Sequence, residues 1–167
     1  MRLLDRMILS NIPVSWSTIA QGWKGAGNYA RLLTLDEIAA YATDRLGKGS
    51  DSKDEAFLAG VGDSDEDKVA GVVERLARLE DSDGGLEKRK WRLVMLQSVM
   101  EELGQDPLYG SLALVEFWSS WGLPPDSALG KASEISAEDF SEQGFELLKE
   151  SHAKWIRDEF ARLSTKE

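Results

Sequence analysis

Asp63, Asp65, Asp67 and Glu74 occupy the first, third, fifth and twelfth places of a twelve-residue window. That is the carboxylate spacing of an EF-hand calcium loop. The sixth place, where such a loop turns on glycine, holds Lys68, and an apolar helix stripe begins at Val69. The window therefore reads as an acidic first helical turn, opened by Ser64, and no metal is expected there. His152, the single histidine, is the only side chain whose unperturbed pKa lies near neutrality. Its helix neighbours are Leu148, Trp155 and Ile156, and no nucleophile elbow accompanies it. It reads as a histidine at the edge of a helical core with one nitrogen satisfied. Glu101–Glu102 and Asp158–Glu159 are adjacent pairs, which a helix points about 100° apart, so neither makes an acid/base dyad. Lys88-Arg89-Lys90 with Arg92 is the one basic cluster and reads as a partner for the chain's own acidic loops. Gly22, Gly25 and Gly27 have no preceding strand and no Gly-Lys-Ser/Thr ending. They are expected to end a helix and reverse the chain. No catalytic residue, cofactor site or metal site emerges.

The elements that must carry these residues are helical almost throughout. Thr34-Leu35-Asp36-Glu37 is a capping box, followed by Leu35, Ile38, Ala39, Ala42 and Leu46 on one face. Ser52-Lys53-Asp54-Glu55 repeats the capping signature before a short apolar run. Val69, Val72, Val73, Leu76 and Leu79 form the next stripe, and Asp81 to Gly85 a turn. From Leu86 to Leu103 the stripe widens around Trp91, Leu93, Val94 and Leu96, which predicts a central helix. Asp106-Pro107 starts a helix that is apolar nearly all round and should be buried. Gly122 to Asp126 stops it, Ser127 to Ser133 reads as a small-residue connector, and Ser136 caps a last helix. On that helix Phe145, Leu148, His152, Ile156, Phe160 and Leu163 share a face. Only Ile12-Pro13-Val14 looks extended. The expectation is one all-α domain over residues 1–167, with about seven helices in an antiparallel bundle or a short α-solenoid-like stack.

Composition narrows the function classes. The chain has 167 residues, no cysteine, 42% hydrophobic residues and a formal net charge of −10. Disulfides and thiolate chemistry are excluded. The acidic balance speaks against nucleic acid or an anionic membrane as a main partner. The apolar start Met1 to Leu9 is cut by Asp5 and Arg6, unlike a signal peptide. No stretch reaches the length of a membrane span, so a cytoplasmic protein is expected. Residues 34–83 carry 6 basic and 14 acidic side chains, whereas residues 1–33 carry 4 and 1.

Several segments together resemble a known family. They are Val14 to Ile19 with Gly22, Leu35 to Ala42, Lys90 to Leu96, and Asp106-Pro107-Leu108 leading through Val115-Glu116-Phe117 to Trp121-Gly122 and Pro124. Their order and spacing are similar to an uncharacterised bacterial domain of unknown function, the 2247 type, which occurs near polymorphic-toxin genes. The resemblance covers about residues 14–130, with residues 131–167 as a C-terminal capping helix, and no catalytic residue comes with it. It implies a small helical bacterial protein that neutralises a toxin.

The resulting expectation is a non-enzymatic protein-binding domain, most concretely an immunity protein whose acidic surface meets a basic toxin domain. The alternative is a helical scaffold or regulatory adaptor. If successive helices run antiparallel, the loops after the second and fourth helices share one end. Asp51, Asp54 and Glu55 would then lie on a common rim with Glu80, Asp81 and Asp83, with only Lys48 and Lys53 nearby. That rim is the expected partner-binding surface.

Overall fold

A computed structural model describes residues 1–62, 65–129 and 141–164. Within them are eight helices and no strand: α1 Leu3–Leu9, α2 Trp16–Lys24, α3 Leu35–Gly47, α4 Lys53–Ala59, α5 Glu66–Arg78, α6 Gly84–Glu102, α7 Pro107–Ser120 and α8 Glu142–Ser164. The fold is all-α. Ser64 and Ser136 lie outside the described residues, as do residues 130–133 of the expected connector.

The helix beyond the expected seven is α1. Asp5 and Arg6 interrupt its apolar run, which hides it in the sequence, yet Leu4 and Met7 are buried one turn apart. Asn11 stops it in the left-handed region at φ 54°, and Ile12 N–H returns to the Met7 carbonyl at 3.0 Å. The segment after it, Ile12 to Val14, joins no ladder.

The chain divides into two compact units, Met1–Trp91 and Arg92–Glu167. In the first, α2 packs on α5, α3 on α4, and α4 on α5. Its core is built from Ile19, Ile38, Leu58, Val69 and Trp91, all essentially inaccessible to water. Gly22 does not end α2 but sits inside it, facing the Trp91 indole. A Cβ there would stand 2.3 Å from Trp91 Cζ2, so only glycine lets this ring lie against the helix. The chain reverses after α2 with Gly25 and Gly27 both at positive φ, and Ala26 and Tyr29 exchange backbone hydrogen bonds across the turn.

In the second unit α7 packs on α8. The tip of the Phe145 ring of α8 abuts Gly110 of α7, where a Cβ would be 2.3 Å from Phe145 Cζ. Leu114, Phe117 and Trp118 complete the buried face of α7. The all-round apolar pattern of α7 does not translate into all-round burial: Leu108, Tyr109 and Leu112 are exposed.

Candidate functional site

α2 owes its start to local chemistry first. Ser15 Oγ accepts from Thr18 N–H at 3.3 Å, and Thr18 Oγ1 accepts in return from Ser15 N–H at 3.0 Å. The amides of Trp16 and Ser17 are left for a partner remote in sequence. Glu80 supplies it, with Oε1 2.9 Å from Trp16 N and Oε2 2.7 Å from Ser17 N. All three leading donors of the helix are thereby satisfied, and a carboxylate stands at the positive end of the helix dipole.

Glu55 reaches the same residue from the other side. Ser52 Oγ accepts from Glu55 N–H at 3.3 Å, the first half of the expected capping box in α4. The Glu55 side chain goes instead to Trp16, whose indole N–H donates to Oε1 at 2.6 Å. Burial alone would raise the Glu55 carboxyl, but hydrogen bonds from Ser50, Trp16 and Arg45 outweigh it and hold it below the ordinary carboxylate range. Trp16 in turn stacks edge-on against Tyr41 at 4.9 Å between ring centroids. Tyr41 O–H donates to the Val14 carbonyl at 3.1 Å.

These contacts place the start of α4 and the end of α5 at one end of the first unit, around the N-terminus of α2. A fourth link, from Arg75 to both carboxylate oxygens of Asp54 at 2.8 and 3.2 Å, ties α4 to α5 there. It holds the Asp54 carboxyl below its usual range, chiefly through the guanidinium hydrogen bond. The six candidate carboxylates therefore differ in kind. Glu55, only 2% exposed, and Glu80 serve Trp16, and Asp54 serves Arg75. Asp83 accepts from Gly85 N–H at 2.8 Å at the start of α6. Asp51, Asp81 and Asp83 are exposed, and no ion pair engages them among the described residues.

Beside them stands a residue that pattern reading assigned to the core. Leu79 continues the stripe of Val69, Val72, Val73 and Leu76, but it is 83% exposed. The helix closes at Arg78, and Leu79 N–H bonds the Leu76 carbonyl at 3.1 Å in a tightened final turn. That turn directs Glu80 to the α2 amides and leaves Leu79 facing solvent. Nothing in the sequence marked Glu80 as a cap for a helix starting 64 positions earlier.

Several of the remaining chemistry-bearing side chains have structural partners. α5 is helical from Glu66, so Asp67, Lys68 and Glu74 lie on a helix rather than a calcium loop, while Asp63 falls outside the described residues. Asp65 pairs with Lys68 at 2.9 Å. Lys90, expected to meet the chain's own acidic loops, instead forms a buried pair at 3.0 Å with Glu87 of the same helix. Thr18 Oγ1 donates to Glu87 at 2.6 Å and Ser82 Oγ at 2.9 Å. His152 is fully buried with both nitrogens engaged, one more than expected. Arg92 reaches Asp126 at 2.7 Å. Among the grooves of the first unit, one of about 550 Å³ runs along α1 and α3 and one of about 680 Å³ along α2 and α5. Each carries mixed charge, with Arg2, Asp5 and Lys48 in one and Lys24, Glu74 and Arg78 in the other.

A family model described as an uncharacterized protein conserved in bacteria, DUF2247, matches residues 4–160. The chain belongs to the DUF2247 family. The family match takes in α1 and nearly all of α8, and so reaches past both ends of the 14–130 stretch where the resemblance was legible. No curated protein and no solved structure matches the chain. Among the described residues no helix is long and apolar enough to cross a membrane.

Proposed function

We propose that this DUF2247 chain is a non-enzymatic protein-binding domain that receives a basic partner at the end of its first unit marked by Leu79. The observation that carries the reading is the exposure of Leu79 beside Asp81, Asp83 and, on the neighbouring α3–α4 loop, Asp51. An apolar side chain held out in water gains about 1.5–3 kcal/mol when a partner buries it. Acidic neighbours without ion pairs favour a partner whose apolar pocket is ringed by lysine or arginine, by charge complementarity and steered association. Those features fit an immunity protein covering a basic toxin domain, the role that the resemblance implies for the family. Four buried titratable groups support a non-enzymatic reading, since Glu55, Glu87, Lys90 and His152 each bond a residue of another helix.

The test begins with affinity capture from the native cell, followed by association kinetics of the purified partner with the wild-type chain and with the D51K/D81K/D83K variant. Asp54 is left out because its reversal would set lysine against Arg75. The expected result is slower association and a flatter salt dependence in the triple variant, with L79A raising the dissociation rate. Unchanged kinetics in both variants, or a captured partner that is acidic, would overturn the reading.

A further inference from the structure

The second unit contains the chain's one histidine in a setting that tolerates a single protonation state. His152 of α8 is 0% exposed. Its Nδ1 lies 2.6 Å from the Leu148 carbonyl, which can only accept, so Nδ1 carries the proton. Nε2 lies 2.8 Å from Nε1 of Trp118 on α7. Indole nitrogen donates and has no lone pair to offer, so Nε2 must be the acceptor. The imidazole is thus neutral, with a defined tautomer, and its Nε2 lone pair ties α8 directly to α7.

Adding a proton to Nε2 would bring two N–H donors face to face at hydrogen-bond distance. The surroundings offer the imidazolium no relief. From α6, the Arg92 guanidinium sits 5.6 Å above the same Trp118 ring and 5.3 Å above Trp155, adding positive charge. Asp126, in the loop after α7, is bonded to Arg92. The one acidic residue of α7, Glu116, is exposed. On α8 itself Lys149 lies beside Glu146, and the buried Glu159, two turns beyond His152, lies near Arg162.

We propose that the Trp118–His152 contact is an acid-released latch, closed when the imidazole is neutral and opened by its protonation, that governs how firmly α8 is held on α7. Burial pushes the His152 pKa below the usual histidine value, only partly offset by the Leu148 hydrogen bond. The sign follows from linkage. Above pH 6.5 the ring is neutral whether α8 is docked or released, and the latch is fully closed. As pH falls below 6.5 the released form takes up the proton first. The ratio of docked to released α8 then falls about tenfold per pH unit until the docked ring also protonates. The first unit has no histidine and lacks this response.

Hydrogen exchange of the full-length chain between pH 7.5 and 5.0, corrected for intrinsic exchange rates, tests the proposal. Amides of α8 that exchange through its release should lose protection about tenfold per pH unit below the midpoint, while those of α2 and α5 hold theirs. In H152Q, whose side-chain oxygen can accept from Trp118 but does not titrate over this range, α8 protection should be independent of pH. Should H152Q fail to fold, the wild-type comparison of α8 with α2 and α5 decides alone. Equal pH responses in all three helices, or pH-independent protection of α8 in the wild type, would overturn the latch.

Discussion

Glu80 closes the helix that begins at Trp16: the two oxygens of one carboxylate take the first two amide protons of α2, at 2.9 and 2.7 Å. The bond joins the end of α5 to the start of α2, two helices that already pack side by side. E80A should lower stability by about 1–3 kcal/mol, combining a lost cap with two lost charge-assisted bonds. E80Q, which retains one acceptor, should cost less. Urea denaturation followed by far-UV circular dichroism measures both, and an E80A midpoint equal to wild type would contradict this assignment.

Gly22→Ala should be destabilising although alanine is the better helix former. Propensity favours the change by about 1 kcal/mol. Against it, the new methyl would lie 2.3 and 2.8 Å from Trp91 ring atoms and 3.0 Å from Leu33 Cδ1. Displacing that ring endangers its 2.9 Å bond to the Thr18 carbonyl. Overpacking of this kind typically costs about 1–3 kcal/mol, so a net loss is expected. A lowered denaturation midpoint with a change in near-UV circular dichroism would register it.

The buried Glu87–Lys90 pair predicts an asymmetric mutant cycle. Lys90→Met leaves a carboxylate out of water without its cation and should cost about 3–5 kcal/mol. Adding Glu87→Gln removes the stranded charge and should recover part of that loss, because the amide can still bond Thr18 and Ser82. Chemical denaturation of both single variants and the double variant checks the ordering. Additive losses would show that the two side chains do not act as a pair.

Tyr41 predicts a loss of stability at alkaline pH. Burial, reinforced by Glu80, Glu55 and Asp44 and opposed by Arg45, pushes its hydroxyl from 10.0 up to about 12. The folded state thus disfavours phenolate, and the stability that this confers is complete below pH 10. It is lost as pH rises through the interval from about 10 to about 12. Tyr41→Phe gives up the bond to Val14 but should flatten that interval. Denaturation midpoints across the alkaline range, with the phenolate band followed by absorbance, distinguish the two.

Helix type and most helix starts were legible because they are local. The Thr34–Glu37 capping box forms with both of its bonds, and Asp106 caps α7 ahead of Pro107 as its position implied. Trp91 to Leu96 are buried to the degree that the wide apolar stripe required. What escaped the pattern is tertiary. Whether Ser52-x-x-Glu55 closes its box depends on where Trp16 is, and Trp16 draws the Glu55 carboxylate away. Leu79 sits one position past the end of its helix, so periodicity assigns it to the core while the turn that delivers Glu80 exposes it. The acidic rim was legible as a set of charges on two loops. Which charges are spent inside the fold could not be read without knowing that α2 begins between them.

Thr18 shows how far a single small residue can restrict the drift of its neighbours over generations. Its hydroxyl serves Ser15 and Glu87 and its carbonyl serves Trp91, with Lys90 Nζ 3.4 Å away. Glu87, Lys90 and Trp91 meet it because they recur at helical spacing. One residue gained or lost between Glu87 and Trp91 would rotate part of the set by about 100° and leave Glu87 or the Trp91 indole without its partner. The length of this short stretch of α6 is pinned by a threonine nearly seventy positions away.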